Sequence, residues 1–482
     1  MPPGITIVGL GPGDPQLLTR AAWEALSQAE EVWLRTRHHP AVAALPADRL
    51  HSFDDLYETA PDFERVYDAI VERLTVLGRR PHGVVYAVPG DATVGEASAH
   101  RLLATSRVPV RVIHGLSCIE PSLAAVGADA LDGLSIVDAL ELAAAHHPPF
   151  PPDRPALIAQ LYSALVAADV KLTLMAVYPD EHPVRLIHAA GAGDAQVEAL
   201  PLYAIDRSPS IGPMTSLFVP ELPEPSGFES FQETVAHLRA PDGCPWDREQ
   251  TPQSLRPHLL EEAYEALHAL DEEDSAALRE ELGDLLLQIV LQAQIASEEG
   301  DFDMGDVIRG INAKIVRRHP HVFGEVAVTG VEHVLQNWEA LKAAERAENG
   351  EGGGLLGGVP VGLPALAQAA EIQSRVARVG FDWPDVEGVT AKIAEELTEV
   401  QNARRPPAVA DEMGDVLFAV VNYARWLGVD PEAALRQANA RFRRRFEAVE
   451  AAAAAVGRPM AKMTPAELDA LWEAAKGGEV SS

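Results

Sequence analysis

The pattern of apolar and polar positions divides the chain into two halves. In residues 1–220, short apolar runs alternate with amphipathic segments such as Thr19–Ala29 and Asp62–Leu77. This alternation is typical of an α/β layered domain, in which strands and helices follow one another along the chain. The runs that predict strands are Ile5–Val8, Val32–Leu34, Val84–Val88, Val110–Ile113, Ala156–Ala159, Leu172–Val177 and Leu217–Val219.

Prolines mark two predicted joints. Four prolines between residues 148 and 152 predict a joint between two α/β lobes near residues 146–155. The stretch Pro220–Pro225 has the composition of a linker, and beyond it the strand pattern gives way to segments rich in alanine, leucine and glutamate. We therefore predict a two-lobed α/β domain at 1–220, a linker at 221–227 and an all-α region after it.

The helical half contains an internal repeat. Four short motifs recur in the same order at offsets of 134, 131, 127 and 134 residues, which chance would rarely produce. The Gly-rich run 349–358 predicts a hinge between a first repeat at 228–348 and a second at 359–482. The motif pairs are Glu261–Glu265 with Glu395–Glu399, Glu281–Leu286 with Glu412–Leu417, Asn312–Lys314 with Asn439–Arg441, and Trp338–Lys342 with Trp472–Lys476.

Composition narrows the classes of function. The 482 residues include 39 Lys+Arg against 72 Asp+Glu, a net charge of −33, and such a surface repels phosphate backbones and anionic lipid. We therefore expect neither a nucleic acid nor a membrane as a partner, and no run of 18 apolar residues predicts a membrane span. Two cysteines, Cys118 and Cys244, and the lack of a signal-peptide pattern predict a cytoplasmic location.

Carboxylates recur at helical spacing in each repeat. In the first repeat, Glu261, Glu262 and Glu265 share one side of a predicted helix, and Glu281 and Asp284 lie three residues apart on the next. Like charges about 4 Å apart repel by roughly 4 kcal/mol at an effective dielectric near 20, and a divalent cation removes that cost. Carboxylate oxygens favour Mg²⁺ or Mn²⁺ over zinc, and Mg²⁺ commonly bridges substrate phosphates. The sequence therefore predicts a metal site that acts on a nucleotide or polyphosphate.

A solvated acidic helix face is the alternative for any single motif of this kind, because glutamate is common on helix surfaces. The carboxylates of the second helix argue against a solvated face, because they border the apolar run Leu285–Val290. The recurrence of both carboxylate motifs in the second repeat argues against it as well. Basic and aromatic residues further along could hold phosphates and stack a base, although each pair alone is more often a surface ion pair or a core aromatic. In the first repeat these residues are Lys314, Arg318, Trp338 and Lys342.

The helical half resembles the MazG family of nucleoside triphosphate pyrophosphohydrolases over residues 228–478. The resemblance implies two all-α helical bundle repeats that form a homodimer. It also implies Mg²⁺-dependent hydrolysis of NTP and dNTP to the monophosphate and pyrophosphate. The stretches that carry it are Gly243–Asp247, Leu260–Glu265, Glu281–Leu285, Arg317–Phe323 and Val379–Trp383.

The resemblance also implies roles for single residues. Which repeat is catalytic stays open: the second is the catalytic one in better-known two-repeat members, but Arg441 stands where the family often has lysine, and the first repeat is complete. The glutamates among which the water-orienting base is expected are Glu261, Glu262, Glu265, Glu395, Glu396 and Glu399. The implied metal ligands are Glu262, Glu265, Glu281 and Asp284, then Glu396, Glu399, Glu412 and Asp415. The implied nucleotide contacts are Lys314, Arg318, Trp338 and Lys342, then Arg441, Arg445, Trp472 and Lys476.

Small-residue loops follow three predicted strands of the first half. The loop Gly9–Asp14 does not complete the dinucleotide fingerprint, because Asp14 stands where a third glycine is needed, and a tight strand-to-helix turn is the alternative. Two further loops, Gly90–Asp91 and His114–Ser117, follow later strands. Loops of this kind predict a ligand cleft at the carboxyl edge of a sheet.

Together these loops resemble the tetrapyrrole methylase family over residues 4–220. The resemblance implies S-adenosylmethionine bound in a cleft between two α/β lobes, although Ala92 stands where many members have proline. It implies no methyl acceptor, because acceptor pockets diverge within one fold. The fusion as a whole resembles the YabN-type proteins. The implied cofactor-binding residues are Gly9, Gly11, Gly13, Asp14, Gly90, Asp91, Gly115 and Ser117.

Three functions stay open on the sequence. The leading one is a Mg²⁺-dependent NTP pyrophosphohydrolase whose N-terminal domain binds S-adenosylmethionine. One alternative is an S-adenosylmethionine-dependent methyltransferase with a regulatory helical appendage. The other is a sensor that binds Mg²⁺–NTP without turnover. The repeated carboxylate clusters favour the hydrolase.

Overall fold

The computed structural model describes residues 3–348 and 354–479. They form two compact units, Met1–Gly243 and Cys244–Ser482. Strands and helices alternate in the first unit, and the regular structure described in the second is helical. This arrangement confirms the predicted fold class. The finer domain boundaries stay predictions, as does the hinge at 349–358, of which 349–353 lie outside the described residues.

Ten strands and eight helices make up the described regular structure of the first unit, apart from short 3₁₀ turns. The strands are β1 (Ile5–Gly9), β2 (Val32–Leu34), β3 (Leu50–Ser52), β4 (Val84–Val88), β5 (Val110–Ile113), β6 (Ser135–Asp138), β7 (Ala156–Ala159), β8 (Pro183–His188), β9 (Gln196–Pro201) and β10 (Thr215–Val219). The helices are α1 (Arg20–Gln28), α2 (Asp54–Thr59), α3 (Phe63–Leu77), α4 (Ala97–Thr105), α5 (Ile119–Val126), α6 (Ala139–Ala144), α7 (Ala164–Leu174) and α8 (Phe228–Arg239).

The first lobe is a parallel sheet of order β3-β2-β4-β1-β5. Its central strand β4 is buried along its whole length, because helices cover both faces, which is why its sequence is apolar at every position. Val85 and Ala87 pack in one core with α1, whereas Val84 and Tyr86 pack in another with α3 and α4. Strands β4, β1 and β5 are neighbours, so the loops at their carboxyl ends meet at one edge.

The second lobe is a mixed sheet of order β6-β7-β10-β8-β9. Strands β6 and β7 are parallel, and β10 pairs antiparallel with both β7 and β8. Helices α6 and α7 cover one face, and Leu123 of α5 packs on the other with Leu157, Ile187 and Phe218. The two lobes therefore differ in strand direction as well as in position along the chain.

Two expectations for this unit are wrong. The run Leu172–Val177 is not a strand, because Ser163 caps a helix that continues through Leu174. A short apolar run is ambiguous by periodicity, and only its packing decides between a strand and a buried helix end. The joint between the lobes does not lie near 146–155, because β6 already belongs to the second sheet, so the lobes meet between β5 and β6.

The predicted linker is tied to the second lobe. The Leu222 amide donates to the Pro152 carbonyl at 2.8 Å, and the Gly227 amide donates to Asp153 Oδ2 at 3.2 Å. A hydrogen bond from Ser230 of α8 lowers the pKa of Asp153. Through this bond, Asp153 holds the start of α8 against the second lobe. These bonds explain why α8 belongs to the first compact unit.

The regular structure described in the second unit is helical. Helices α10 and α11 form one hairpin and α16 and α17 another, with Asp274 capping α11 and Asp385 capping α16. No helix in the described ranges is both long and apolar enough to cross a bilayer. The helices are α9 (Pro245–Glu249), α10 (Arg256–Asp271), α11 (Ser275–Glu299), α12 (Met304–Arg318), α13 (Pro320–Phe323), α14 (Val331–Glu348), α15 (Ala365–Arg378), α16 (Val386–Asn402), α17 (Pro406–Trp426), α18 (Pro431–Ala455) and α19 (Pro465–Glu479).

Candidate functional site

The hairpin α10–α11 brings three carboxylates of the first repeat together. One carboxylate oxygen each of Glu262, Glu265 and Glu281 lies within 4.8 Å of the other two. Glu262 and Glu265 are three residues apart and share one face of α10, while Glu281 approaches from α11. We call this group the first cluster. Asp284, the fourth predicted ligand, lies outside this tight group.

The charges of the first cluster repel one another. Burial raises the pKa of Glu262, and the negative charges of Asp284, Glu265, Glu261 and Glu281 raise it further. Burial and the neighbouring charges, Glu265 first among them, also raise the pKa of Glu281. The charge of Asp284 therefore acts on the first cluster, although its oxygens lie outside the tight group of three. A divalent cation at this point would remove the repulsion.

The hairpin α16–α17 assembles a corresponding second cluster from Glu396, Glu412 and Asp415, again with one oxygen of each within 4.8 Å of the others. Glu396 is only 6% exposed, and its Oε2 atom has no hydrogen-bond partner among the described residues. A buried carboxylate oxygen without a donor is costly, so this atom favours a bound cation. Burial raises the pKa of Glu412, and the charge of Glu399 and a hydrogen bond to Glu399 raise it further. Glu399 is therefore close to the second cluster although it lies outside the tight group.

The first glutamate of each Glu-Glu-x-x-Glu motif lies outside its cluster. The side chain of Glu261 is 61% exposed and lies 3.7 Å from His258, measured between Oε2 and Nδ1. The side chain of Glu395 is 57% exposed and pairs with Lys392 at 3.0 Å. The structure therefore separates these two glutamates from the remaining candidates for a water-orienting base.

Arg318, a predicted phosphate contact of the first repeat, forms an ion pair with Glu345. Arg318 Nε lies 3.1 Å from Glu345 Oε2, and Arg317 Nε donates to Glu345 Oε1 at 2.8 Å. These hydrogen bonds lower the pKa of Glu345 to about 2, and the bond from Arg318 has the largest effect. The pair ties the end of α12 to α14.

Trp338 lies beside the same helix end. Its ring packs edge-on against His319 at 4.9 Å between centroids, and Lys342 Nζ lies 5.7 Å from the indole centroid. The predicted pairing of Trp338 with a cation is therefore present. Lys314 is exposed on α12.

The corresponding residues of the second repeat have a more apolar setting. Trp472 packs against Phe442 at 5.0 Å, while Lys476 Nζ pairs with Glu473 at 2.6 Å. Arg441 is exposed and Arg445 half-buried on α18. Trp472 also lines a cavity of about 340 Å³ together with Phe442, Phe446, Val449, Met460, Pro465, Leu468 and Asp469.

The three loops of the first lobe converge as predicted. Gly11 and Gly90 pair through their backbones, with Gly90 N donating to Gly11 O at 2.8 Å. A Cβ atom on Gly9 would lie 2.5 Å from the Gly90 carbonyl oxygen and 2.6 Å from the Gly115 nitrogen. Because these neighbours are backbone atoms, only glycine fits at Gly9, and the loops form a closely packed floor at the carboxyl edge of the sheet. Gly13 lies against the second lobe, where its Cβ would meet Ala192.

The polar residues of these loops hold the loops themselves. Asp91 Oδ2 accepts from the Gly115 amide at 2.9 Å and lies 3.0 Å from His114 Nδ1. Burial opposes ionisation of Asp91, but hydrogen bonds from Thr93, His114 and Gly115 outweigh it and lower its pKa. Asp14 accepts from the Gln16 amide, and the buried Ser117 accepts from the Ile119 amide. The predicted cofactor-binding role of these three side chains stays a prediction.

Known protein families match each half of the chain. The model of the Tetrapyrrole (Corrin/Porphyrin) Methylases matches residues 4–206, and that of the MazG nucleotide pyrophosphohydrolase domain matches 250–323. The uncharacterized protein YabN of Bacillus subtilis (strain 168) is 40% identical over 493 residues, which cover 98% of this chain and 99% of that protein. The chain belongs to the YabN family. Its two halves are thus a tetrapyrrole methylase region and a MazG region.

The MazG region also has relatives of its own. The nucleoside triphosphate pyrophosphohydrolase/pyrophosphatase MazG of Thermotoga maritima is 44% identical over 252 residues, which cover 52% of this chain and 96% of that protein. The nucleoside triphosphate pyrophosphohydrolase of Escherichia coli (strain K12) is 45% identical over 252 residues, covering 51% and 95%. The second cluster of this YabN-family chain lies beyond the residues that the MazG model matches.

Sequence reasoning gave no role to three residues at the candidate sites of this YabN-family chain. Lys392 contacts two glutamates of the second repeat. His39 is buried, its pKa is lowered to about 4 by burial, and a hydrogen bond to the Gly11 backbone places it against the Gly9–Asp14 loop. His114 lies beside Asp91. Lys392 stands one helical turn before Glu396, so its spacing could have revealed it, whereas the position of His39 depends on tertiary structure.

Proposed function

We propose that the chain hydrolyses nucleoside triphosphates and deoxynucleoside triphosphates to the monophosphate and pyrophosphate, using Mg²⁺ bound by its carboxylate clusters. The observation that carries this proposal is the pair of clusters, each with three carboxylate oxygens within 4.8 Å on corresponding helix hairpins. Membership of the YabN family and the named activity of the MazG relatives support it. Hydrolysis of this kind removes nucleotides from the triphosphate pool.

The clusters fit a hard divalent cation. Their donors are all carboxylate oxygens, which suit Mg²⁺ and Mn²⁺ better than zinc. The unpartnered Oε2 atom of the buried Glu396 fits a cation in particular. Glu262, Glu265 and Glu281 would hold it in the first repeat, and Glu396, Glu412 and Asp415 in the second, with Asp284 and Glu399 beside them. When bound, such a cation neutralises phosphate charge and favours attack at phosphorus.

The side chains of the site have separate tasks in this reaction. A carboxylate of the cluster orients a water molecule and accepts its proton as the water oxygen bonds to the α-phosphorus. The bond from the α-phosphorus to the bridging oxygen breaks, and its electron pair leaves with pyrophosphate. Arg318 and Lys314 of the first repeat supply positive charge for the phosphates, and Trp338 a surface for the base. Arg318 already binds the Glu345 carboxylate in the bidentate manner that suits a phosphate, with Nε donating to Oε1 at 3.2 Å and Nη2 donating to Oε2.

A product assay tests the proposal. Purified protein is incubated with Mg²⁺ and each NTP and dNTP, and the products are separated by ion-exchange chromatography. We expect monophosphate and pyrophosphate in equal amounts. Diphosphate with phosphate would indicate a different phosphohydrolase. Binding without turnover would favour the sensor or the methyltransferase instead.

We propose in addition that the first unit binds S-adenosylmethionine. The observation that favours it is the convergence of Gly9, Gly11, Gly90 and Gly115 at the carboxyl edge of the first sheet, where ligands of open α/β sheets bind. The match to the tetrapyrrole methylase model over 4–206 supports it. Calorimetric titration with S-adenosylmethionine tests this function separately from nucleotide hydrolysis.

We propose that two copies of the chain associate through their helical units. Large apolar side chains are exposed along α12 and α17, among them Ile308, Ile311, Leu417 and Phe418, each more than 40% exposed. Apolar rows of this extent are typical of association surfaces. We expect light scattering to give twice the mass of one chain. Replacing Ile311 and Leu417 by glutamate should give the mass of a single chain, and a monomeric native protein would contradict the proposal.

A further inference from the structure

One position differs in charge between the two carboxylate clusters. Three residues before each Glu-Glu-x-x-Glu motif, the first repeat has His258 and the second has Lys392. Both residues lie on the helix that carries the motif, one turn before its glutamates. An ammonium group stays charged throughout the physiological pH range, whereas an imidazole is charged only when protonated. The two clusters therefore differ in their built-in positive charge.

Lys392 binds directly to the second cluster. Its Nζ atom lies 2.7 Å from Oε1 of Glu396 and 3.0 Å from Oε1 of Glu395. The side chain of Glu396 is 7% exposed, so this ion pair lies at the buried end of the cluster. The lysine thus supplies one positive charge at a carboxylate that we assign to a metal ion.

His258 does not take this role in the first cluster. It lies 3.7 Å from Glu261, whose side chain is 61% exposed and lies outside the tight group. The tight group of the first cluster instead holds three carboxylates with oxygens within 4.8 Å of one another, and these charges repel one another. Within the described ranges, the first cluster therefore has an excess of negative charge that no lysine at this position reduces.

We propose that Lys392 is the internal counter-ion of the second cluster, so that the first repeat binds a divalent cation at a lower concentration than the second. This inference rests on the proposed function, because it assumes that both clusters hold metal. A cation that enters at the unpartnered Oε2 of Glu396 is repelled by the ammonium group on Oε1 of the same carboxylate, whereas one that enters the first cluster relieves repulsion directly. A fixed positive charge on a carboxylate that also binds the ion is expected to weaken binding by about tenfold or more. The two repeats would then load metal in sequence.

The test is a Mn²⁺ titration of the full chain, followed by electron paramagnetic resonance of the free ion. The native protein should show two classes of site that differ by about tenfold or more in dissociation constant. Glu281→Gln should remove the tighter class and Glu412→Gln the weaker one. Lys392→Met should tighten the weaker class by about tenfold. The reciprocal variant His258→Lys should weaken the tighter class, and it keeps the test valid if Lys392→Met fails to fold.

Lys462→Met is the matched control, because it removes the same charge from an exposed position of the second repeat. It should change both classes less than twofold. The inference is overturned if Lys392→Met leaves the weaker class unchanged, or if Glu412→Gln removes the tighter class. An absence of Mn²⁺ binding in the native chain would overturn the proposed metal centres as well, which separates that failure from a failure of Lys392 alone.

Discussion

Replacing Glu262 and Glu396 together by glutamine should lower the rate of nucleoside triphosphate hydrolysis by about a thousandfold. Glutamine keeps the size of glutamate but carries no negative charge, so each cluster loses a metal ligand and a proton acceptor. Both residues belong to the tight groups of three carboxylates. The measurement is kcat for the preferred dNTP with saturating Mg²⁺.

The single variants Glu262→Gln and Glu396→Gln measure how much of this loss of rate comes from each repeat. A large loss in one variant and a small loss in the other would identify the catalytic repeat. Equal partial losses would contradict the idea that only one repeat is catalytic. Glu387→Gln is the control, because this exposed residue lies on the same helix as Glu396 but outside the cluster. A double variant that retains a tenth of the native rate would refute the assignment of these carboxylates.

Gly9→Ala should destabilise the first unit by about 3 kcal/mol and abolish binding of S-adenosylmethionine. The added Cβ would lie 2.5 Å from the Gly90 carbonyl oxygen and 2.8 Å from the Gly115 Cα. These atoms are backbone and belong to neighbouring loops, so they cannot move away as a flexible side chain would. Denaturant unfolding measures the stability, and calorimetric titration measures the binding.

Gly212→Ala is the matched control, since a Cβ at that position would meet no atom within 4 Å. It should leave both the unfolding transition and the binding close to native. Normal binding in Gly9→Ala would contradict the role of the converging loops. Loss of binding without a change in stability would mean that Gly9 contacts the ligand but is not needed for packing.

Local sequence was sufficient for most strands of the first sheet and for two of the second. Val32–Leu34, Val84–Val88, Val110–Ile113 and Ala156–Ala159 coincide with β2, β4, β5 and β7, because buried parallel strands are continuous apolar runs. Strands β3, β6, β8 and β9 were missed. For β9 the reason is that much of the strand is exposed and its pattern is not apolar. The prediction of a strand at Leu172–Val177 was wrong for the opposite reason: the run is apolar, but a buried helix end is apolar as well.

The sequence by itself predicted most of the carboxylates that the two helix hairpins bring together. Helical spacing placed Glu262 and Glu265 on one face, and the repeat implied a second set at Glu396 and Glu412. Tertiary structure decided what spacing cannot express: the packing of two helices leaves Asp284 at the margin of its cluster. It also buries Glu396 against Lys392 with one oxygen unpartnered. Burial and charge pairing depend on which helices meet, and those contacts form between residues far apart in the chain.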